Sequence, residues 1–147
     1  MAVFASELIL GAVAVWAGRL IWAFNGAALA SFFVVFGNIF PTFHKLKGGK
    51  GVGTLFGVAL AIHPIVFALM TLVFLLAVLA SKLVAFGSIA VALLFPLFVN
   101  AFSNLGLHVA MAVFCTGFIL FAHRSNIKRI QASKEQKFFF SDFFHKG

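Results

Sequence analysis

The sequence predicts an all-α integral membrane protein with about six membrane helices. Of its 147 residues, 63% are hydrophobic and only 10% are charged, and the mean hydropathy is +1.15. A soluble domain of this size could not keep so much apolar sequence off its surface. Polar residues, glycines and prolines interrupt the apolar sequence and divide it into segments that are candidates for individual helices.

These interruptions define six apolar segments, of which one or two are too short to cross a bilayer unaided. Asn25-Gly26 is a turn signal between the first two segments. Proline disfavours helical backbone in the residue before it, so His63-Pro64 divides the long apolar run in the middle of the chain. The segments cover residues 2–24, 27–43, 52–62, 64–80, 83–101 and 105–122. We therefore expect a polytopic membrane domain over residues 1–122 and a basic cytoplasmic tail over residues 123–147.

The distribution of positive charge predicts the orientation of the chain in the membrane and the kind of partner it contacts. Eleven Lys and Arg residues oppose three Asp and Glu residues, for a net charge of +8. The two strongest clusters lie at residues 45–50 and 124–129, and the positive-inside rule places both in the cytoplasm. An even number of crossings must then separate them, which the break at Pro64 supplies. Basic clusters beside apolar segments favour anionic headgroups or anionic substrates over nucleic acid.

A basic, glycine-rich loop is the most informative stretch of the chain. Residues 45–54 (KLKGGKGVGT) hold three lysines and four glycines. Glycine backbone can turn its N–H groups toward an anion, and the lysines add positive charge. A basic turn that only sets orientation is the alternative, but orientation needs no glycines. The loop is not a Walker A motif, since no strand precedes it. A short helix starting after the loop would point its positive end at the bound anion.

Three further polar residues lie near predicted helix ends. Ser88 follows the start of the fifth segment; the alternative to a binding role is a hydroxyl bonded to a carbonyl one turn earlier. His123 and Asn126 are spaced i, i+3, which places both on one helix face, with Arg124 beside them. A basic stop signal at the membrane surface is the alternative for this group.

The acidic residues are few, and two of them matter. Glu7 lies inside an apolar segment, where an ionisable group is costly without a partner or a wet cavity. Glu135 is a lone acid among lysines, for which a solvated surface ion pair is the alternative interpretation. The five histidines show no metal-ligand spacing with cysteine or carboxylate, so no metal or cofactor is expected.

Taken together, the motifs resemble a known family. Residues 40–54 (FPTFHKLKGGKGVGT), Gly87-Ser88-Ile89 with Pro96, and residues 123–129 (HRSNIKR) with Glu135 are similar to the second, third and C-terminal motifs of the bacterial acyl-phosphate:glycerol-3-phosphate acyltransferases, the PlsY family. The resemblance implies transfer of an acyl chain from acyl phosphate to the sn-1 hydroxyl of glycerol 3-phosphate, giving lysophosphatidic acid and phosphate. It further implies a bacterial inner-membrane protein with cytoplasmic motifs, which we expect to be a monomer.

The same resemblance suggests roles for individual residues. His123 is the candidate proton acceptor, because its pKa is the one near neutrality; the substrate's own phosphate is the alternative acceptor. The implied catalytic residues are Ser88, His123 and Asn126. The implied phosphate-binding residues are Lys47, Gly48, Gly49, Lys50, Gly51, Thr54 and Arg124. Glu7 and Glu135 are expected to support the site.

The chain also departs from the family pattern. The family fold has seven membrane helices, and a first helix and a motif reading S-G-N-x-G-A-T-N precede the part seen here. We therefore expect the equivalent of the family fold without its first helix. Leu10 replaces a lysine, Asn38 a histidine and Ala85 a serine of the family pattern. Two alternatives stay open: a shortened, inactive family member, and a small membrane transporter subunit for an anionic solute.

Overall fold

The computed structural model describes residues 2–40, 50–103 and 105–137, and all regular secondary structure within these ranges is helical. This confirms the predicted all-α class. The helices are α1 (Ala2–Ile39), α2 (Val52–Ile62), α3 (Pro64–Ser81), α4 (Val84–Ser103), α5 (Gly106–Ala122) and α6 (Arg124–Gln131).

Helix α1 is two helical limbs that fold back on each other. Trp22 and Ala23 leave helical backbone geometry, and Ala23 has a φ of 45°. Beyond this break, Gly26 lies so close to Gly18 of the first limb that a Cβ on either would meet the other's carbonyl oxygen. Over their described residues, the first two predicted segments therefore form an antiparallel pair. The break predicted at Asn25-Gly26 falls earlier, because Gly26 is taken up by the close approach of the limbs.

Among the described residues, three helical segments are long and apolar enough to cross a membrane: α3, α4 and Val3–Ile39, the last of which is the folded-back pair of limbs in α1. A fourth span arises if α5 and α6, bent by 60°, are counted together. Helix α2 has 11 residues and reaches only about 16 Å, roughly half of the apolar thickness of a bilayer. The chain is thus a multi-pass membrane protein with at least one short helix, as predicted.

The boundary between α2 and α3 falls at the predicted proline. His63 adopts extended backbone geometry, and Pro64 occupies the first turn of α3. There the missing proline N–H costs nothing, because that N–H would have no partner within the helix. The ring of His63 caps the new helix by accepting a hydrogen bond at Nδ1 from the N–H of Ile65, over 3.3 Å.

Small residues bring α1 and α2 into close contact. A Cβ on Gly11 would meet the carbonyl oxygen of Thr54, and a Cβ on Gly57 would meet that of Leu8. Gly53 lies one turn before Gly57 and faces Glu7. Gly53 and Gly57 therefore form the small-xxx-small face through which membrane helices approach one another.

A proline inside α4 is compensated from a neighbouring helix. Pro96 has no N–H to donate to the carbonyl of Ala92, four residues earlier. The hydroxyl of Thr116 in α5 donates to that carbonyl over 2.6 Å. Helix α4 thus continues through the proline without leaving a buried carbonyl unpaired.

The helices define two ends of the bundle. We call the site end the one where α2 and α4 begin and α5 ends, and where the first residues of α1 lie. The opposite end holds the break in α1, the turn at His63 and the connection from α4 to α5.

Candidate active site

A cavity of about 540 Å³ lies at the site end, where residues from distant parts of the sequence meet. Its lining contains polar and charged residues together with apolar residues. The lining residues are Phe4, Glu7, Lys50, Val52, Gly53, Phe74, Val84, Ala85, Ser88, His123, Asn126, Glu135, Gln136 and Lys137. Six of the residues predicted from sequence are among them: Glu7, Lys50, Ser88, His123, Asn126 and Glu135.

The beginning of α2 forms one side of the cavity. Gly51 precedes the helix with a φ of 75°, a left-handed conformation that favours glycine, and no side chain among the described residues caps the helix. Val52 and Gly53 of the first turn line the cavity, and the N–H groups at the start of a helix have no partner within it. Lys50 adds a positive charge beside them. This arrangement suits an anion, while Lys47, Gly48 and Gly49 lie outside the described residues.

His123 lies between α5 and α6 with only 1% of its surface exposed. Its Nδ1 lies 2.9 Å from the carbonyl oxygen of Ile119. A carbonyl oxygen only accepts, so Nδ1 carries the proton in the neutral ring and Nε2 keeps the free lone pair. Within the described ranges no partner occupies Nε2. His123 can therefore accept a proton at Nε2.

The surroundings keep His123 neutral. Burial lowers the pKa of His123 below its ordinary value of 6.5, and the positive charge of Lys50 lowers it further. The hydrogen bond to Ile119 and the negative charge of Glu135 act in the opposite direction without reversing the shift. An uncharged imidazole near pH 7 is the form that a general base requires.

Asn126 is held by an acidic residue further along the tail. Its Nδ2 donates to Oε1 of Glu135 over 2.7 Å, and the other carboxylate oxygen of Glu135 accepts from Nε of Arg129 over 2.8 Å. Hydrogen bonds from Arg129 and then Asn126 lower the pKa of Glu135. Asn126 is 2% exposed, and its Oδ1 is buried without a partner in the described part of the chain.

Ser88 and Glu7 complete the polar wall from two other helices. The hydroxyl of Ser88 donates its proton to the carbonyl of Val84 over 3.0 Å. This is the bond to a carbonyl one turn earlier that was the alternative to a binding role. The oxygen of the hydroxyl can still accept a hydrogen bond. A Cβ on Gly53 would lie 2.7 Å from Oε2 of Glu7. The carboxylate of Glu7 thus lies against the first turn of α2, where the helix dipole stabilises negative charge.

Three of the predicted phosphate-binding residues are not in the lining of this cavity. Thr54 is fully buried, and its hydroxyl oxygen accepts a hydrogen bond from Nδ2 of Asn38 over 2.6 Å. The guanidinium of Arg124 lies over the ring of Phe121, 4.4 Å from its centroid, and donates to the Phe121 carbonyl. Gly51 contributes backbone geometry at the start of α2 and is not itself in the lining.

Several wall residues were not singled out from sequence. Phe4, Phe74 and Val84 contribute apolar side chains to the lining, and Gln136 and Lys137 of the tail also belong to it. The apolar residues are indistinguishable in composition from those around them. Lys137 could have been predicted, because it lies two residues after Glu135, which was singled out. Among the described residues, no group of three or more His, Cys, Asp or Glu could hold a metal ion.

The fold and this site define a class: polytopic membrane proteins with a polar, partly cationic cavity at one end of a helical bundle. The model of the family described as glycerol-3-phosphate acyltransferase matches residues 1–133. The chain belongs to this family, which confirms the resemblance seen in its motifs.

Similar proteins support this assignment. The chain is 33% identical to a glycerol-3-phosphate acyltransferase of Thermoanaerobacter sp. (strain X514) over 92% of its own length and 68% of the relative's. It is 36% identical to one of Carboxydothermus hydrogenoformans, over 86% of this chain and 65% of the relative.

Solved structures extend the likeness to three dimensions. A crystal structure of PlsY, an integral membrane glycerol 3-phosphate acyltransferase, in its glycerol 3-phosphate form superposes with a TM-score of 0.90 at 26% identity, covering 97% of this chain and 72% of PlsY. Its lysophosphatidic acid form gives a TM-score of 0.89, covering 99% of this chain and 75% of PlsY. The predicted fold class is thereby confirmed.

Proposed function

We propose that this chain transfers an acyl group from acyl phosphate to the sn-1 hydroxyl of glycerol 3-phosphate, giving lysophosphatidic acid and inorganic phosphate. The observation that carries the proposal is the convergence of Lys50, Ser88, His123 and Asn126 on one cavity, in a chain of the glycerol-3-phosphate acyltransferase family.

Acyl phosphate is already activated, so the protein need only bring the hydroxyl to the carbonyl carbon and stabilise the departing phosphate. The hydroxyl oxygen forms the new bond to the acyl carbon, and the bond from that carbon to the phosphate oxygen breaks. The electron pair leaves with the phosphate. Lys50 and the first-turn N–H groups of α2 are placed to stabilise that negative charge.

The attacking hydroxyl must lose its proton, and His123 is the candidate acceptor. Nε2 of His123 takes it, because Nδ1 is committed to the carbonyl of Ile119. The free Oδ1 of Asn126 accepts a hydrogen bond from a substrate hydroxyl and so orients it. Ser88 lies in the same wall and accepts another. The phosphate of the substrate is the alternative proton acceptor.

The apolar residues of the cavity lining suit the acyl chain. Phe4, Phe74 and Val84 belong to three different helices and contribute apolar side chains to the lining. We propose that the acyl chain lies along them and continues toward the lipid. By the positive-inside rule the site end then faces the cytoplasm of a bacterial cell, with the protein in the inner membrane as a monomer. Residues 1–122 would form the membrane domain and residues 123–147 the cytoplasmic tail.

The activity test uses the purified 147-residue chain in liposomes, supplied with a long-chain acyl phosphate. We expect phosphate release that depends on glycerol 3-phosphate, with matching formation of lysophosphatidic acid. Absence of turnover would overturn the proposal in favour of the inactive alternative. Flux of an anionic solute without acyl transfer would overturn it in favour of the transporter alternative.

A pair of lysine variants tests the assignment of the phosphate site. Lys50→Ala removes the charge beside the start of α2 and should abolish acyl transfer. Lys128→Ala removes an exposed lysine of α6 that is outside the cavity lining and should leave the rate close to that of the unchanged chain. Full activity in Lys50→Ala would contradict the role of Lys50.

A further inference from the structure

A second cavity, of about 200 Å³, lies at the opposite end of the bundle. It is lined by residues from three places where the chain reverses there: the break in α1, the turn at His63, and Ser103 and Leu105 between α4 and α5. Its lining residues are Arg19, Phe24, Ala27, Ala61, Ile62, His63, Phe102, Ser103, Leu105 and His108. None of them belongs to the candidate active site.

The cavity is cationic and contains no acidic side chain among its described lining residues. The guanidinium of Arg19 lies over the ring of Phe24, 4.9 Å from its centroid, and in the described part of the chain it has no carboxylate partner. A charge in this position keeps its hydrogen-bond donors available, because an aromatic face attracts a cation without using its N–H groups.

Two histidines add directed hydrogen-bonding groups. His108 is only 5% exposed, and its Nδ1 is buried without a partner in the described ranges. His63 uses Nδ1 to accept the N–H of Ile65, so Nε2 carries the proton and can donate. The rings are positioned by aromatic neighbours, His63 stacked on Phe102 at 5.3 Å and His108 edge-on to Phe24 at 6.4 Å.

We infer that this cavity is a binding site for a phosphate-bearing anion. Arginine with imidazole N–H groups matches the geometry and charge of phosphate, and an unpaired buried imidazole nitrogen is costly until a ligand occupies it. The volume is below the roughly 300–1,000 Å³ of sites for drug-sized ligands, so it suits an inorganic phosphate or the phosphate of one lipid headgroup. Trp22 is 61% exposed at the same level, as tryptophan is at the membrane interface.

The test observes the two histidines directly. The full chain, labelled with ¹⁵N-histidine in a maltoside detergent, is titrated first with inorganic phosphate and then, separately, with short-chain phosphatidylglycerol. Imidazole signals are assigned with His63→Gln and His108→Gln. We expect saturable shifts of both signals with at least one probe, and Arg19→Gln should weaken the apparent affinity at least about tenfold. Saturation by inorganic phosphate identifies a site for the free anion, and a response to lipid alone identifies a headgroup site.

The control is Arg124→Gln. Arg124 also lies over a phenylalanine ring, but at the site end, so its replacement should leave the His63 and His108 shifts unchanged. The His123 signal reports separately on the candidate active site and on whether each variant is folded. The proposal is overturned if neither probe shifts His63 and His108 in the unchanged chain, or if Arg19→Gln and Arg124→Gln weaken binding equally.

Discussion

Asn126 donates a hydrogen bond from Nδ2 to Oε1 of Glu135 over 2.7 Å, and this bond fixes which end of the amide is free. A carboxylate only accepts, so the amide nitrogen must face Glu135, and Oδ1 is left to accept a hydrogen bond in the cavity wall. We therefore propose that Glu135 acts through Asn126 as a positioning residue.

Replacing Glu135 should reduce activity because the amide of Asn126 loses its orientation. We expect Glu135→Leu to lower kcat/KM for glycerol 3-phosphate about tenfold to hundredfold, the cost of a charge-assisted hydrogen bond. Glu135→Gln keeps an acceptor oxygen and should recover most of the loss. The assay is phosphate release at varied glycerol 3-phosphate concentrations.

The matched control removes the other partner of Glu135. Arg129→Leu breaks an ion pair whose arginine is 53% exposed but keeps the bond between Glu135 and Asn126, so the loss should stay within about threefold to fivefold. Equal losses in Glu135→Leu and Arg129→Leu would show that the ion pair matters and that the orientation of Asn126 does not.

His123 should titrate below its ordinary pKa. Burial lowers the pKa of His123, and Lys50 lowers it further, so its midpoint, followed by imidazole NMR, should lie below 6.5. Lys50→Met removes one of these two causes and should raise the midpoint. A midpoint at or above 6.5 in the unchanged chain, or one unaffected by Lys50→Met, would contradict this account.

The lowered pKa of His123 also predicts the direction in which the free energy of unfolding changes with pH. The folded protein binds the proton of His123 less tightly than the unfolded chain does, so this residue's contribution to the free energy of unfolding falls as pH drops from 6.5 toward the lowered pKa. His123→Gln should remove that part of the pH dependence, measured by denaturation at several pH values.

Local chemistry explains which parts of this structure are predictable from sequence. The boundary at His63-Pro64 is correctly predicted because proline acts on its immediate neighbours. His123 and Asn126 both line the cavity, as their i, i+3 spacing predicted, although His123 lies at the junction of α5 and α6 and not within a helix. Ser88, which also lines the cavity, was singled out because its motif resembles one of the family. No other polar residue lies at helical spacing from it to indicate a site.

Packing between distant segments explains the rest. Gly26 is a turn signal by composition, yet it packs against Gly18, and the break falls at Trp22 and Ala23 instead. Gly53 is one of the four glycines of the loop that was predicted to bind an anion. In the structure its missing side chain also lets α2 approach Glu7. Thr54 belongs to a phosphate-binding motif by sequence, but its oxygen accepts a bond from Asn38.

The close contact of α1 with α2 predicts strong sensitivity at its glycines. A Cβ on Gly11 would meet the backbone carbonyl of Thr54, which cannot move without shifting a helix. Gly11→Ala should destabilise the chain by about 1–3 kcal/mol, measured as a lower Tm in detergent.

Gly117→Ala is the control for this prediction. Gly117 lies inside α5, and a Cβ there would meet nothing within 4 Å, so alanine's higher helix propensity should make the change neutral or stabilising by up to about 1 kcal/mol. A similar loss of stability in both variants would mean that close packing at Gly11 is not the cause.

The hydroxyl of Thr116 should matter only because Pro96 is present. Thr116→Val leaves the carbonyl of Ala92 without a donor and should cost about 1 kcal/mol of unfolding free energy in detergent. With Pro96→Ala, the restored N–H at residue 96 can bond that carbonyl, so adding Thr116→Val should then cost clearly less.

Thr71→Val provides the comparison for this double-mutant cycle. The hydroxyl of Thr71 donates to the carbonyl of Phe67 within α3, a carbonyl that the helix already pairs with a backbone N–H. Its loss should therefore have a small effect that does not depend on Pro96. If Thr116→Val cost the same with and without Pro96, its hydroxyl would not be compensating for the proline.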